Sequence, residues 1–262
     1  MSGGHRREPP DRPVGAEPAG RGRIGLRDGP RDGLLGLQRS AGNQAVVQML
    51  AAQVQREKVK HTTGAQLDTY ASASPFLKTY VEAKIKGGTK ADGHVHIHAP
   101  DAFKKAWVAY ALPKQNPNTG AKFTEAEAEA FEARVNAFQD GTEIHIHEER
   151  GETGTAIHEA MHLFSSTAFD TLGFNMSEGS TEFFARVIYA EQKITRGAFY
   201  TEPYGAVAKL VEATSKDALA KAYFNGDLKG LEDAVEAKKK GTWQKWLDHM
   251  RKGQYADANR LW

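Results

Sequence analysis

Residues 155–166 read TAIHEAMHLFSS, and residues 174–192 read FNMSEGSTEFFARVIYAEQ. Together they decide how the chain is read. His158 and His162 are four positions apart, so on a helix they share a face and both imidazoles can reach one point in front of it. Glu159 sits about 100° round the helix from His158 and can border that point. Ala156, Ile157, Ala160, Met161, Leu163 and Phe164 make the other faces apolar, which predicts a buried helix. Two imidazoles beside a glutamate are the makings of a catalytic metal site, with Glu159 as the base and a third protein ligand still to be found. A His-Glu-x-x-His string alone also arises by chance, and this chain has ten histidines.

The second stretch supplies candidates for the missing ligand. Ser177 can cap a helix that starts near Glu178, which would then project from its first turn, with Glu182 one turn later on the same face. The 16 positions from His162 to Glu178 leave room for a loop that folds the second helix back on the first. The residues leave two alternatives open. The plainer reading of Glu178 is an acid favoured by the helix macrodipole, and Glu182, 20 positions past His162, can be the ligand in its place.

Residues 142–190 resemble the gluzincin metallopeptidases. There the zinc-binding helix is followed by a helix opening on a pattern often read as NEGxTE, matched here by Ser177-Glu178-Gly179-Ser180-Thr181-Glu182. Ser177 stands where that family commonly has Asn. The resemblance implies His158, His162 and Glu178 as zinc ligands, Glu159 as general base, and Glu182 as a carboxylate orienting a zinc-bound imidazole through its other ring nitrogen. The implied reaction is hydrolysis by zinc-bound water, whose pKa falls towards about 7 and whose proton passes to Glu159 and on to the leaving amine. An oxyanion stabiliser is also required. Tyr200 and Tyr204 are the candidates, since a phenol can donate to an oxyanion, and Tyr204 is taken as the catalytic one.

Outward from these helices, Gly93–His98 and Thr142–Glu148 alternate strictly. Each predicts a strand with histidines on one side (His94, His96, His98; His145, His147) and Val or Ile on the other. The histidine faces read as a solvated surface, a rim of the cleft or a separate metal site. Thr142–Glu148 also fits the edge strand along which an extended peptide would lie. Helices are expected over Pro75–Lys86, Pro100–Leu112 and Phe123–Phe138, the last with Thr124 and Glu127 as a capping box. Residues 202–262 read as a run of short helices, punctuated by glycines, that pack behind the site.

Composition bounds the rest. With 35 Lys+Arg against 33 Asp+Glu, binding of nucleic acid by bulk charge is not expected. The absence of cysteine excludes disulfides, thiolate metal sites and a cysteine nucleophile. No apolar run is long enough for a membrane span, and the first residues lack the apolar core of a secretory signal. Residues 1–43 hold 10 of the 26 glycines and 5 of the 10 prolines, which predicts a disordered leader. Nine arginines and five acids give residues 1–56 a net +4, leaving −2 for the remainder. Residues 44–59 read as an amphipathic helix and linker. Within residues 33–57, Leu37, Gln38, Arg39, Gly42 and Asn43 resemble the leader of proteins associated with actinobacterial extracellular contractile injection systems, which implies loading into such a particle.

These readings converge on a mostly helical α+β zincin-like domain over residues 60–262 behind a disordered leader. The expected function is a zinc peptidase, acting as an effector or toxin cargo that starts in the cytoplasm of a producing bacterium and leaves without a signal peptide. A non-enzymatic cargo on the same scaffold, and a zinc hydrolase of small amides or esters, are the alternatives.

Overall fold

The computed structural model describes residues 62–116, 119–194 and 199–262. The leader, the 44–59 helix and the 33–57 stretch lie outside the described residues.

A capping box of Thr63 and Gln66 starts α1 (Gly64–Ala73), and α2 (Lys78–Lys86) follows after a short turn. Strand β1 (Val95–His98) leads into α3 (Pro100–Ala111), whose proline occupies the first turn, where no amide donor is needed. The Thr124–Glu127 capping box opens α4 (Glu125–Glu132) as expected. Strands β2 (Ala137–Asp140) and β3 (Glu143–His147) are joined by a tight turn in which Gly141 has φ +62°. The site helices are α5 (Thr153–Phe164) and α7 (Phe174–Gln192), separated by the single turn α6 (Thr167–Asp170). Five helices complete the described chain: α8 (Thr201–Ala213), α9 (Lys216–Asn225), α10 (Leu228–Lys238), α11 (Trp243–Arg251) and α12 (Tyr255–Asn259). The described residues are thus mostly helical with one small three-stranded sheet. Among the described residues no helix is long and apolar enough to cross a membrane.

The sheet order is β1-β3-β2, with β1 parallel and β2 antiparallel to β3. The strict alternation seen in the sequence works as a partition. Val95, Ile97, Ile144 and Ile146 face the main core with α5 and the C-terminal helices. The histidine side is covered by α3 and α4 through a second cluster of Phe103, Trp107, Phe123 and Phe138. The histidine face is thus divided: His147 is buried and stacks edge-on against Phe103, His145 lies flat on Phe138 at 4.7 Å, and His96 is exposed.

Three local expectations are corrected. The predicted 123–138 helix stops at Glu132, where the Val135 amide turns back to the Glu132 carbonyl at 2.8 Å and the Arg150 guanidinium donates to the carbonyls of Glu132 and Val135. The chain then turns into β2, where Phe138 sits opposite His145. Strand β3 lies in the middle of the sheet, so its backbone is paired on both sides and Thr142–Glu148 cannot accept a peptide at its edge. The open edges belong to β1 and β2. Finally, α7 begins at Phe174 behind Gly173, whose φ of +106° suits glycine, so Ser177 is no cap and Glu178 sits in the second turn.

Candidate metal centre

Helix α5 is buried along nearly its whole length, as its apolar faces require, and packs on α7. That packing brings the two halves of the motif together. His158 Nε2 lies 3.1 Å from Glu178 Oε2, and His162 Nε2 lies 3.4 Å from Glu178 Oε1. One donor atom from each of His158, His162 and Glu178 falls within 4.8 Å of the others. For metal–ligand bonds of about 2.1 Å in a tetrahedron, ligand atoms stand about 3.4 Å apart, close to these two separations, each of which is made by a different oxygen of Glu178. Among the described residues no other group of three such side chains meets this spacing. The group can hold a metal ion.

Glu178 owes its placement to a close helix contact. At Gly179 an added Cβ would stand 2.7 Å from the Pro203 carbonyl oxygen and 2.9 Å from Val207 Cγ2. A larger residue there would push α7 and α8 apart, with Glu178 at the pivot.

Behind this group, each imidazole is anchored at its other nitrogen. His158 Nδ1 donates to Glu182 Oε2 at 3.0 Å, and the other oxygen of Glu182 accepts from Arg186 Nε at 2.8 Å. Glu182 therefore sits on the far side of His158 from Glu178. His162 Nδ1 lies 3.2 Å from the Thr181 hydroxyl. Glu159 is buried beside His158.

In the metal-free arrangement the acid–base balance is that of an ion pair. Burial works against a charged His158, but its hydrogen bonds to Glu178 and Glu182 outweigh that and push it up to about 9. Burial likewise works against a charged Glu178, yet His162 and His158 hold its carboxyl well below the usual carboxylate range. A cation in place of those protons satisfies the same carboxylate.

The two tyrosines separate. Tyr200 stacks on the His158 ring, with centroids 5.1 Å apart and planes 11° from parallel. It holds a left-handed backbone, φ +48°, at the start of α8, a strained conformation of the kind that collects at functional sites. Tyr204 lies over the Arg186 guanidinium, 3.8 Å from ring centroid to cation, and beside Phe183. Arg186 links it to Glu182 behind His158.

The sheet histidines form a separate array. His94 and His96 both bond Glu143, at 2.8 and 2.5 Å, and His98 Nε2 lies 2.9 Å from His145 Nδ1. Sequence reasoning missed Thr181, Arg186 and Tyr223 as site residues. Arg186 had a signal, one helical turn past Glu182. Thr181 lay inside the quoted motif. Tyr223, 61 positions from His162, had none.

Comparison with known proteins adds nothing to this geometry: no family model, curated protein or solved structure matches the chain.

Proposed function

We propose that the chain is a zinc-dependent hydrolase of peptide bonds on a zincin-like domain. The observation that carries the proposal is the convergence of His158, His162 and Glu178 on one point, with buried Glu159 on the same helix. Two imidazoles and a carboxylate with no thiolate form a donor set that suits zinc, and three protein ligands leave a position open for chemistry.

Zinc, when bound, supplies Lewis acidity that makes water a nucleophile near neutral pH and polarises a carbonyl. The chain's own residues do the rest. Glu159 takes the proton of the attacking water and returns it to the leaving amine. Glu182, held by Arg186, keeps His158 oriented with Nε2 forward. Of the two tyrosines, Tyr200 is the better placed to donate to an oxyanion, since its ring lies against a ligand. Peptides are favoured over small amides because β2 packs against α5 and has β3 on one side only, which leaves a backbone edge for an extended chain. In this reading the leader resemblance makes the enzyme an effector cargo of a contractile injection particle.

The test is peptide cleavage by Glu159→Gln. The account expects metal content as in wild type and a rate lower by about 10²–10⁴. Equal rates for wild type and variant would remove Glu159 from the chemistry.

A further inference from the structure

The two ligand histidines are supported differently. His158 leans on a carboxylate; His162 leans on the hydroxyl of Thr181, which is itself 2.7 Å from the hydroxyl of Tyr223. Tyr223 comes from α9, in the C-terminal layer, and is fully buried against Phe169, Phe184 and Phe224. Its hydroxyl is 2.9 Å from the backbone oxygen of Met161, in the last turn of α5. The Ser165 amide goes to the His162 carbonyl, so Met161 O, one of the end carbonyls a helix leaves over, takes the Tyr223 hydroxyl. Burial pushes the Tyr223 phenol well above its ordinary value, so it keeps its proton.

Counting protons along this chain leaves one arrangement. A carbonyl oxygen only accepts, so the Tyr223 O–H is spent on Met161. The Tyr223 oxygen must then accept from Thr181, whose one proton is spent in turn. Thr181 Oγ1 is left to accept from His162, so Nδ1 carries a proton and the Nε2 lone pair is the one offered to a metal. We propose that Tyr223 and Thr181 are positioning residues that set the His162 tautomer, reading it off the end of the helix that carries both histidines. This rests on the metal-centre reading above, and it ties metal affinity to the seating of α9, a helix that supplies no ligand.

The experiment uses the full chain. In metal-free protein with ¹⁵N-labelled histidine, the two ring nitrogens of His162 are read separately, Nδ1 reporting on Thr181 and Nε2 on the Glu178 carboxylate it faces. Wild type is expected to show Nδ1–H. In Tyr223→Phe the Thr181 proton loses its acceptor and can turn to Nδ1, so the Nδ1–H signal is lost. Zinc affinity, measured by competition with a chelating dye, should fall about 10- to 100-fold in Tyr223→Phe and Thr181→Val, as for other partners that orient ligand imidazoles. It should recover in Thr181→Ser, which restores the hydroxyl. A purely structural role would lower thermal stability and leave the tautomer unchanged. An Nδ1 that carries no proton in the wild type, or an Nδ1–H that persists in folded Tyr223→Phe, would overturn the relay. If wild type shows Nδ1–H and binds no zinc, the relay stands and the zinc reading falls.

Discussion

His158 Nδ1 and Glu182 Oε2 meet at 3.0 Å inside the protein, with both side chains all but closed to solvent. This contact decides which carboxylate of α7 is free to bind a metal. Glu182 is committed to the back of His158 and to Arg186, while Glu178 faces the Nε2 atoms of both histidines.

Glu182→Gln should therefore bind zinc more weakly, by about 10- to 100-fold, without losing the site. The amide oxygen can still accept from Nδ1, but it lacks the charge that raises the basicity of the ring and balances Arg186. Chelator competition on purified protein measures this. Complete loss of binding would mean that Glu182 is a ligand.

Gly179→Ala should destabilise the fold by about 1–3 kcal/mol, the usual cost of forcing extra volume into a packed contact. The added methyl meets backbone of α8, with the Pro203 carbonyl oxygen at 2.7 Å, and a backbone cannot swing aside as a side chain can. Thermal unfolding reads the loss. Zinc affinity should fall with it, because Glu178 is the adjacent residue. A variant as stable as wild type would show that the α7–α8 contact is looser than described.

The two helices that make the site were legible in the sequence because their chemistry is periodic. Four-residue spacing fixes which groups share a face, and apolar flanks bury the rest. The sheet alternation was equally plain, but strand order was not. Nothing local in Thr142–Glu148 says that both its edges will be paired. That depends on β2, which the period of Phe131, Val135 and Phe138 disguised as a helical face. The Arg150 contacts at the end of α4 act across 15 to 18 positions, and Tyr223 reaches the site from farther still. Contacts of that kind leave no local pattern to read.

Tyr204→Phe should leave zinc affinity nearly unchanged, since the ring keeps its place on Arg186. Tyr200→Ala should lower peptide turnover more than Tyr204→Phe does, because it uncovers the face of His158. Steady-state kinetics on both variants make the comparison. The reverse order would return the oxyanion role to Tyr204.

His98, His145 and His147 should each subtract from stability on acidification below neutral pH, against a gain from His158. Burial pushes His98, His145 and His147 down; His96 adds to the effect on His98, His98 to that on His145, and Arg150 to that on His147. For a histidine lowered on folding, the unfolded chain binds more protons, so the stabilising contribution is complete above its ordinary value of about 6.5 and is lost as pH falls towards the folded value. In denaturant unfolding at pH 7.5 and 5.5, the change on acidification should be less unfavourable in His98→Leu than in wild type. Taking the difference between the two proteins cancels the opposite contribution of His158, which is raised on folding. An equal change in both would exclude His98 from the effect.

The central claim is that His158, His162 and Glu178 hold one metal ion, and elemental analysis tests it most directly. The account predicts about one zinc per chain in purified protein, with the metal lost in His158→Ala and in Glu178→Ala. A wild-type protein that takes up no zinc even when supplied with it would contradict the account, and the convergence of the three side chains would then be only a buried ion pair.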